Sequence, residues 1–204
     1  MKYGLIVFAA LVLFSCNNAG RDSNVTAEEA AGTDDTATGR TATDTSGRST
    51  GATATISSEP FGRDDSSFVV KAASGGLMEV QLGNIAQEKA VGSRVQAFGR
   101  MMVDDHSAAN GELKGLAGNK GLMLSDSLGK KHKDHVENMQ KKSGQAFDKA
   151  YMSMMVDDHR KDIKEFEKAA ADSKDRDLKA FAEKTLPVLR KHLDSALAIT
   201  GKKP

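Results

Sequence analysis

Met101-Met102-Val103-Asp104-Asp105-His106 recurs letter for letter as Met154-Met155-Val156-Asp157-Asp158-His159, each copy inside a helical pattern. At about 100° per residue, His106 lies about 60° to one side of its apolar stripe and Asp105 about 40° to the other, so both reach inward. The second copy repeats this with Asp158 and His159. It adds Asp162 near the centre of the stripe, where the first helix has Ala109. A carboxylate on a buried stripe is costly unless it is paired, hydrogen-bonded or bound to a metal. The repeat therefore marks two helices that turn polar groups into one interior.

The surrounding sequence is helical throughout. There is no Trp and only three Pro, Ala, Leu, Lys, Glu and Met are abundant, and no alternating β-branched run follows residue 66. Asp65, Ser66 or Ser67 caps a first helix carrying Phe68, Val69, Ala72, Ala73, Val80, Gly83 and Ala86 to about Ala90. After the break at Gly92-Ser93, a second helix carries Val95, Phe98, Met102, Ala109, Leu113 and Leu116 and stops at Gly118-Asn119. Ser125-Asp126 opens a short Lys-rich helix with a weak inner face of Leu128 and Met139, to which His132 and His135 could add, ending near Ser143-Gly144. Its His132 and His135, three apart among lysines, read as a solvated face rather than a surface metal site. A long helix from about Gln145 to Asp172 follows. The last carries Leu178, Phe181, Ala182, Leu186, Leu189, Leu193 and Leu197 to Thr200-Gly201, with Pro187 expected to kink it or leave a carbonyl unpaired.

Short joints make the first two long helices antiparallel neighbours, and likewise the last two. The connection between the pairs, about 26 residues with its own helix, can travel the length of a ~38 Å helix and return. The second and third long helices are then parallel and bring the two MMVDDH copies side by side at one height. This is the order of a ferritin-like four-helix bundle with a short crossover helix between helices 2 and 3.

Counted back from Gly92, Glu79 is about as far from the turn as His106 is beyond it, so it shares the layer. His192 matches His159 less well, with an offset of about five residues, roughly 7 Å along the axis. The candidate ligands are Glu79, Asp105, His106, Asp158, His159 and Asp162, with His192 at the edge of the set. Imidazole and carboxylate together suit iron, zinc, copper or manganese. A buried Asp-to-His network that fixes helix register, or a small-molecule or partner site, accounts for the same residues. Di-iron bundles carry Glu-x-x-His on two helices. Here Val103, Val156 and Leu189 stand three before the histidines, so that ligand set is absent. Met101, Met102, Met152, Met154 and Met155 read as adaptable core filling rather than Cu(I) ligands, and Glu112 and Glu165 as bundle-edge residues.

Residues 1–15 read as an export signal: Lys2, then an apolar run from Gly4 to Phe14 too short to span a bilayer. Leu13-Phe14-Ser15-Cys16 resembles the lipobox of bacterial lipoproteins, which makes Cys16 the lipidation site and the membrane the partner it reaches. As the chain's one cysteine, Cys16 leaves no intramolecular disulfide or thiolate metal cluster. Residues 16–65 are Thr, Ser, Gly, Ala and Asp with hardly any large apolar side chain, a tether spanning on the order of 40 Å. Its acidic residues outnumber its basic ones, so anchoring comes from lipid and not charge. Residues 66–204 form the bundle. There is no Gly-rich phosphate loop, no nucleophile elbow, and no basic surface interleaved with aromatics to suit nucleic acid.

The chain is similar to the bacterial domain of unknown function 4142 family in Phe68-Val69, Met78 to Gly83, Met102 to His106, Phe147-Asp148-x-x-Tyr151, Val156 to His159 with Phe166, and Leu186-Pro187-x-Leu189-x-x-His192-Leu193. The resemblance implies a ferritin-like, exported envelope protein without an assigned reaction, and it stresses His106, His159 and His192. The sequence thus points to a lipid-anchored binding or interaction module, open to protein partners or self-association, with a polar layer able to hold a metal. A metal-dependent oxidase or metal-storage protein is the alternative, disfavoured by the missing glutamates.

Overall fold

The computed structural model describes residues 59–203. The expected signal, Cys16 and most of the tether lie outside them. Five helices follow in order: α1 (Arg63–Lys89), α2 (Ser93–Asn119), α3 (Lys130–Gln140), α4 (Gly144–Asp172) and α5 (Arg176–Thr200). α1 begins inside the span expected to be tether. Its N-cap is Gly62, with Asp64 and Asp65 in the first turn where carboxylates favour the helix dipole. Phe61 already packs on the core. α3 starts later than its Ser125-Asp126 signal because Ser125 Oγ accepts the Ser127 N–H at 3.1 Å and closes a local turn instead. α5 runs unbroken through Pro187.

α1 packs along α2 and also against α4, and α5 packs along α4 and against α2. Phe68 meets Phe166 at one end of α1, with ring centroids 5.0 Å apart, and the Gly92 N–H donates to Asp148 Oδ2 at 2.8 Å at the other. α1 and α4 are therefore antiparallel, and α2 is parallel to α4. The chain is the expected ferritin-like bundle with a crossover helix, with one correction. The two repeat-bearing helices stand on a diagonal, not side by side, and their histidines meet across the bundle centre. The crossover helix α3 lies against α1 and α4.

The apolar interior is two clusters. One holds Met78, Leu82, Phe98, Met102, Phe147, Tyr151, Met152 and Met155, and the other Phe68, Val69, Leu113, Phe166, Leu178, Phe181 and Leu189. Between them the buried polar residues Glu79, His106, His159 and His192 form a layer. The α1 stripe drifts from the expected one, since Met78 and Leu82 are buried and Val80 is half-exposed.

Two contacts fix the helix spacing. At Gly83 an added Cβ would stand 2.6 Å from the Gly99 carbonyl oxygen, and at Gly99 one would stand 2.7 Å from that of Gly83, so α1 and α2 cross backbone to backbone. At the far end, buried Lys120 after α2 pairs with Asp175 Oδ2 at 2.5 Å, while Asp175 Oδ1 caps α5 through the N–H groups of Asp177 and Leu178. One carboxylate thus joins the two hairpins and starts a helix.

Gly99→Ala should lower unfolding stability by about 1–3 kcal/mol, the cost of overpacking a tight contact. Gly111→Ala, exposed in the same helix with nothing within 4 Å, should raise it by about 0.5–1 kcal/mol. Urea unfolding of both variants checks the contrast, and equal effects would refute the close crossing.

Candidate metal centre

Each wall of the bundle contributes to the layer. Glu79 comes from α1, His106 and Asp105 from α2, His159 from α4 and His192 from α5. His192 reaches the cluster on a helix that continues through Pro187. His159 and His192 sit on helices of opposite direction, and each side chain leans toward its own helix N-terminus, so the two rings lean toward one another along the axis. Glu79 and His106 close their own offset in the same way.

The hydrogen bonds decide where the ring protons lie. His159 Nδ1 is 2.9 Å from the Met155 carbonyl, which can only accept, so that nitrogen carries the proton and Nε2 keeps its lone pair. Glu79 Oε1, 3.5 Å away, faces the same Nδ1. The Nε2–H of His192 donates to Asp105 Oδ2 at 2.8 Å, leaving a lone pair on Nδ1. His106 Nδ1 lies 3.1 Å from Glu79 Oε2, and its buried Nε2 has no hydrogen-bond partner. His159 Nε2 and His192 Nδ1 face each other at 3.2 Å. With both ring protons committed elsewhere, that contact sets lone pair against lone pair.

The electrostatics keep all three rings neutral. Burial lowers the pKa of His106 well below the usual range, reinforced by His159 and His192. Burial and His192 bring that of His159 down to about 3, against the Met155 carbonyl. Burial also lowers His192, although the hydrogen bond and charge of Asp105 oppose it. Glu79 is driven the other way, well above the carboxylate range, by burial and then by the charges of Asp162 and Asp158. The Glu79–His106 contact is therefore a hydrogen bond between neutral groups. A cation beside the rings would reverse that balance in favour of the carboxylate.

One nitrogen from each of His106, His159 and His192 lies within 4.8 Å of one from each of the others. With metal–nitrogen bonds of ~2.0–2.1 Å, small ring movements would bring three donors onto one ion. The seven residues singled out in the sequence thus divide. The three histidines converge, and each is held from outside by an oxygen, Glu79 for His106, the Met155 carbonyl for His159 and Asp105 for His192, the arrangement that orients metal-bound imidazoles. Asp158 and Asp162 stand off behind Glu79, in a cleft between α1, α3 and α4. Asp162 is half-buried at that edge rather than central on its stripe, and burial with Asp158 and Glu165 raises its pKa to about 7. Of the flanking methionines, Met102, Met152 and Met155 fill the core, with Met101 and Met154 packed against it. Glu112 and Glu165 are exposed.

His132 and His135 were expected on a solvated face. Both are half-buried in the same cleft, and His132 Nδ1 lies 2.8 Å from Ser74 Oγ. Their lysine neighbours favour the solvated face over the weak inner one, but α3 turns this side toward α1. The Met155 carbonyl left no trace in the sequence, because it is a backbone group.

Fold and site together define a ferritin-like helical bundle with a buried histidine cluster. A family model described as Domain of unknown function (DUF4142) matches residues 50–199, and the chain belongs to that family. No curated protein is a significant match. In fold the chain is similar to the crystal structure of a DUF305 fragment from Deinococcus radiodurans, with a TM-score of 0.62 at 11% identity, over 70% of this chain and 98% of that one.

Glu79→Leu alone removes the hydrogen-bond partner of His106 Nδ1 and should cost about 1–3 kcal/mol, the cost of a buried polar group left unmatched. Adding His106→Leu should recover part of that loss, because both polar partners are then gone. A double-mutant cycle in urea checks this, and additive losses would show that the two side chains do not interact.

Proposed function

We propose that this protein is a lipid-anchored envelope bundle that binds one first-row transition ion, zinc or copper, through His106, His159 and His192. The observation that carries the reading is the trio of buried, neutral imidazoles, each held by an oxygen partner, with one nitrogen of each within 4.8 Å of one from each of the others. Imidazole donors suit zinc and copper, and no thiolate is needed. A bound ion would supply positive charge where the fold has buried Glu79, and His106 Nε2 would gain a partner. Glu79 would orient His106, the Met155 carbonyl His159, and Asp105 His192.

The reading favours holding an ion over turning over an organic substrate. The cavity beside Glu79 and His106 is about 30 Å³, room for about one water. An oxidase or storage centre with paired metals needs bridging carboxylates, and among the described residues Glu79 is the one carboxylate paired with two of the rings. Anchoring rests on the lipobox-like Leu13-Phe14-Ser15-Cys16. Among the described residues no helix is long and apolar enough to cross a membrane.

The full chain, stripped and then offered Zn(II), Cu(I), Fe(II) or Mn(II) separately, should retain close to one equivalent of zinc or copper after desalting. The His106→Ala/His159→Ala variant should retain none, and Asp105→Asn should weaken binding about 10–100-fold. Wild-type protein without stoichiometric metal would overturn the reading.

Cys16→Ser should move the protein from the membrane fraction to the soluble fraction of cells. Unchanged fractionation would remove the lipid anchor from the proposal.

A further inference from the structure

The ring nitrogens are enclosed, with His159 fully buried, His192 1% exposed and His106 8% exposed. An ion must reach them through a wall of the bundle. A cleft of about 530 Å³ between α1, α3 and α4 runs in from the surface as far as Glu79. Glu79 is 2% exposed. Its Oε2 contacts His106, whereas its Oε1, without a hydrogen-bond partner, completes the link between cleft and cluster.

The walls of this cleft carry donors that the fold leaves unmatched. His135 Nδ1 and Asp158 Oδ2 are both shut off from solvent with no hydrogen-bond partner. Ser74 holds His132 by Nδ1, so its Nε2 is the nitrogen left for another partner. Asp158 stands between the two histidine groups, its charge felt by His132 on the outer side and by Glu79 on the inner. A solvated helix face would leave none of these atoms enclosed and unpartnered. Lys131 and Lys161 also line the cleft, so the local field alone does not draw cations in. Lys161 pairs with Asp158 Oδ1 at 3.3 Å from an exposed position and can be displaced by a cation that coordinates the carboxylate.

We propose that the crossover helix is the inlet of the metal centre: His132, His135 and Asp158, spread along the cleft rather than gathered into one three-donor site, take up a divalent transition ion in succession and pass it by way of Asp162 and Glu79 to His106, His159 and His192. This inference rests on the three-histidine reading above. It adds to it a place and a direction of loading, and it gives α3 a role beyond connecting two hairpins. No bond is made or broken other than coordination to the ion.

The test is stopped-flow mixing of the full chain with Co(II), whose visible absorption reports nitrogen coordination, with the amount bound at equilibrium measured in parallel. His132→Ala/His135→Ala and, separately, Asp158→Asn should load about tenfold more slowly or worse, within the range over which local charge and donors alter association rates. Both should reach the wild-type final absorbance. The Asp158→Asn variant keeps its shape and guards against a folding defect in the double variant, which circular dichroism would reveal. Wild-type loading rates in both variants would overturn the inlet and leave the central site standing. A lower final absorbance in folded variants would also overturn it, since these residues would then belong to the final site. A wild-type chain that develops no Co(II) band would remove the central site and the inlet together.

Discussion

Desolvation of one polar layer governs the structure. Three imidazoles and a carboxylate sit between two apolar clusters, where water cannot compensate them, so each must find a partner in another helix or in its own backbone. That requirement sets the relative height of all four long helices. Glu79 ties α1 to α2 and α4, and His192 ties α5 to α4 and, through Asp105, to α2. Sliding any one helix by a turn would break at least one of these contacts. The apolar clusters supply the driving force for collapse, but apolar side chains alone tolerate many registers.

Much of this was legible in the sequence, and for identifiable reasons. A six-residue repeat is unambiguous, and two short joints with one long one leave few topologies open, so bundle, crossover and polar layer all follow. Glu79 follows too, by counting from the Gly92 turn, because a helical hairpin maps distance from its turn onto height. The same counting left His192 about five residues out. It ignored the lean of side chains toward the helix N-terminus, which brings facing rings of opposite direction together.

The rest failed where a side chain's fate depends on a neighbour that sequence does not position. The angular arithmetic that placed His159 correctly also centred Asp162, yet α1 and α3 leave Asp162 at the edge of a cleft. In the Lys-rich crossover the inner face of His132 and His135 was outweighed by their charged neighbours, and nothing in the two hairpins showed that α2 and α4 would stand diagonally. Gly83 looked like one small residue on a stripe. Its contact with Gly99 exists because both helices surrender a side chain at one crossing. The likeness in fold to a DUF305 fragment at 11% identity underlines the point: one architecture accommodates very different sequences, and the chemistry belongs to a few side chains placed on it.

The layer divides its contributors evenly between hairpins, Glu79 and His106 on one, His159 and His192 on the other. The long crossover is their covalent link. An ion held by His106, His159 and His192 would close loops of several dozen residues across that divide, as a disulfide does in an exported domain. In a folded region that contains no cysteine, occupancy of the centre would then be a reversible cross-link, setting how often the hairpins part as well as what lies between them.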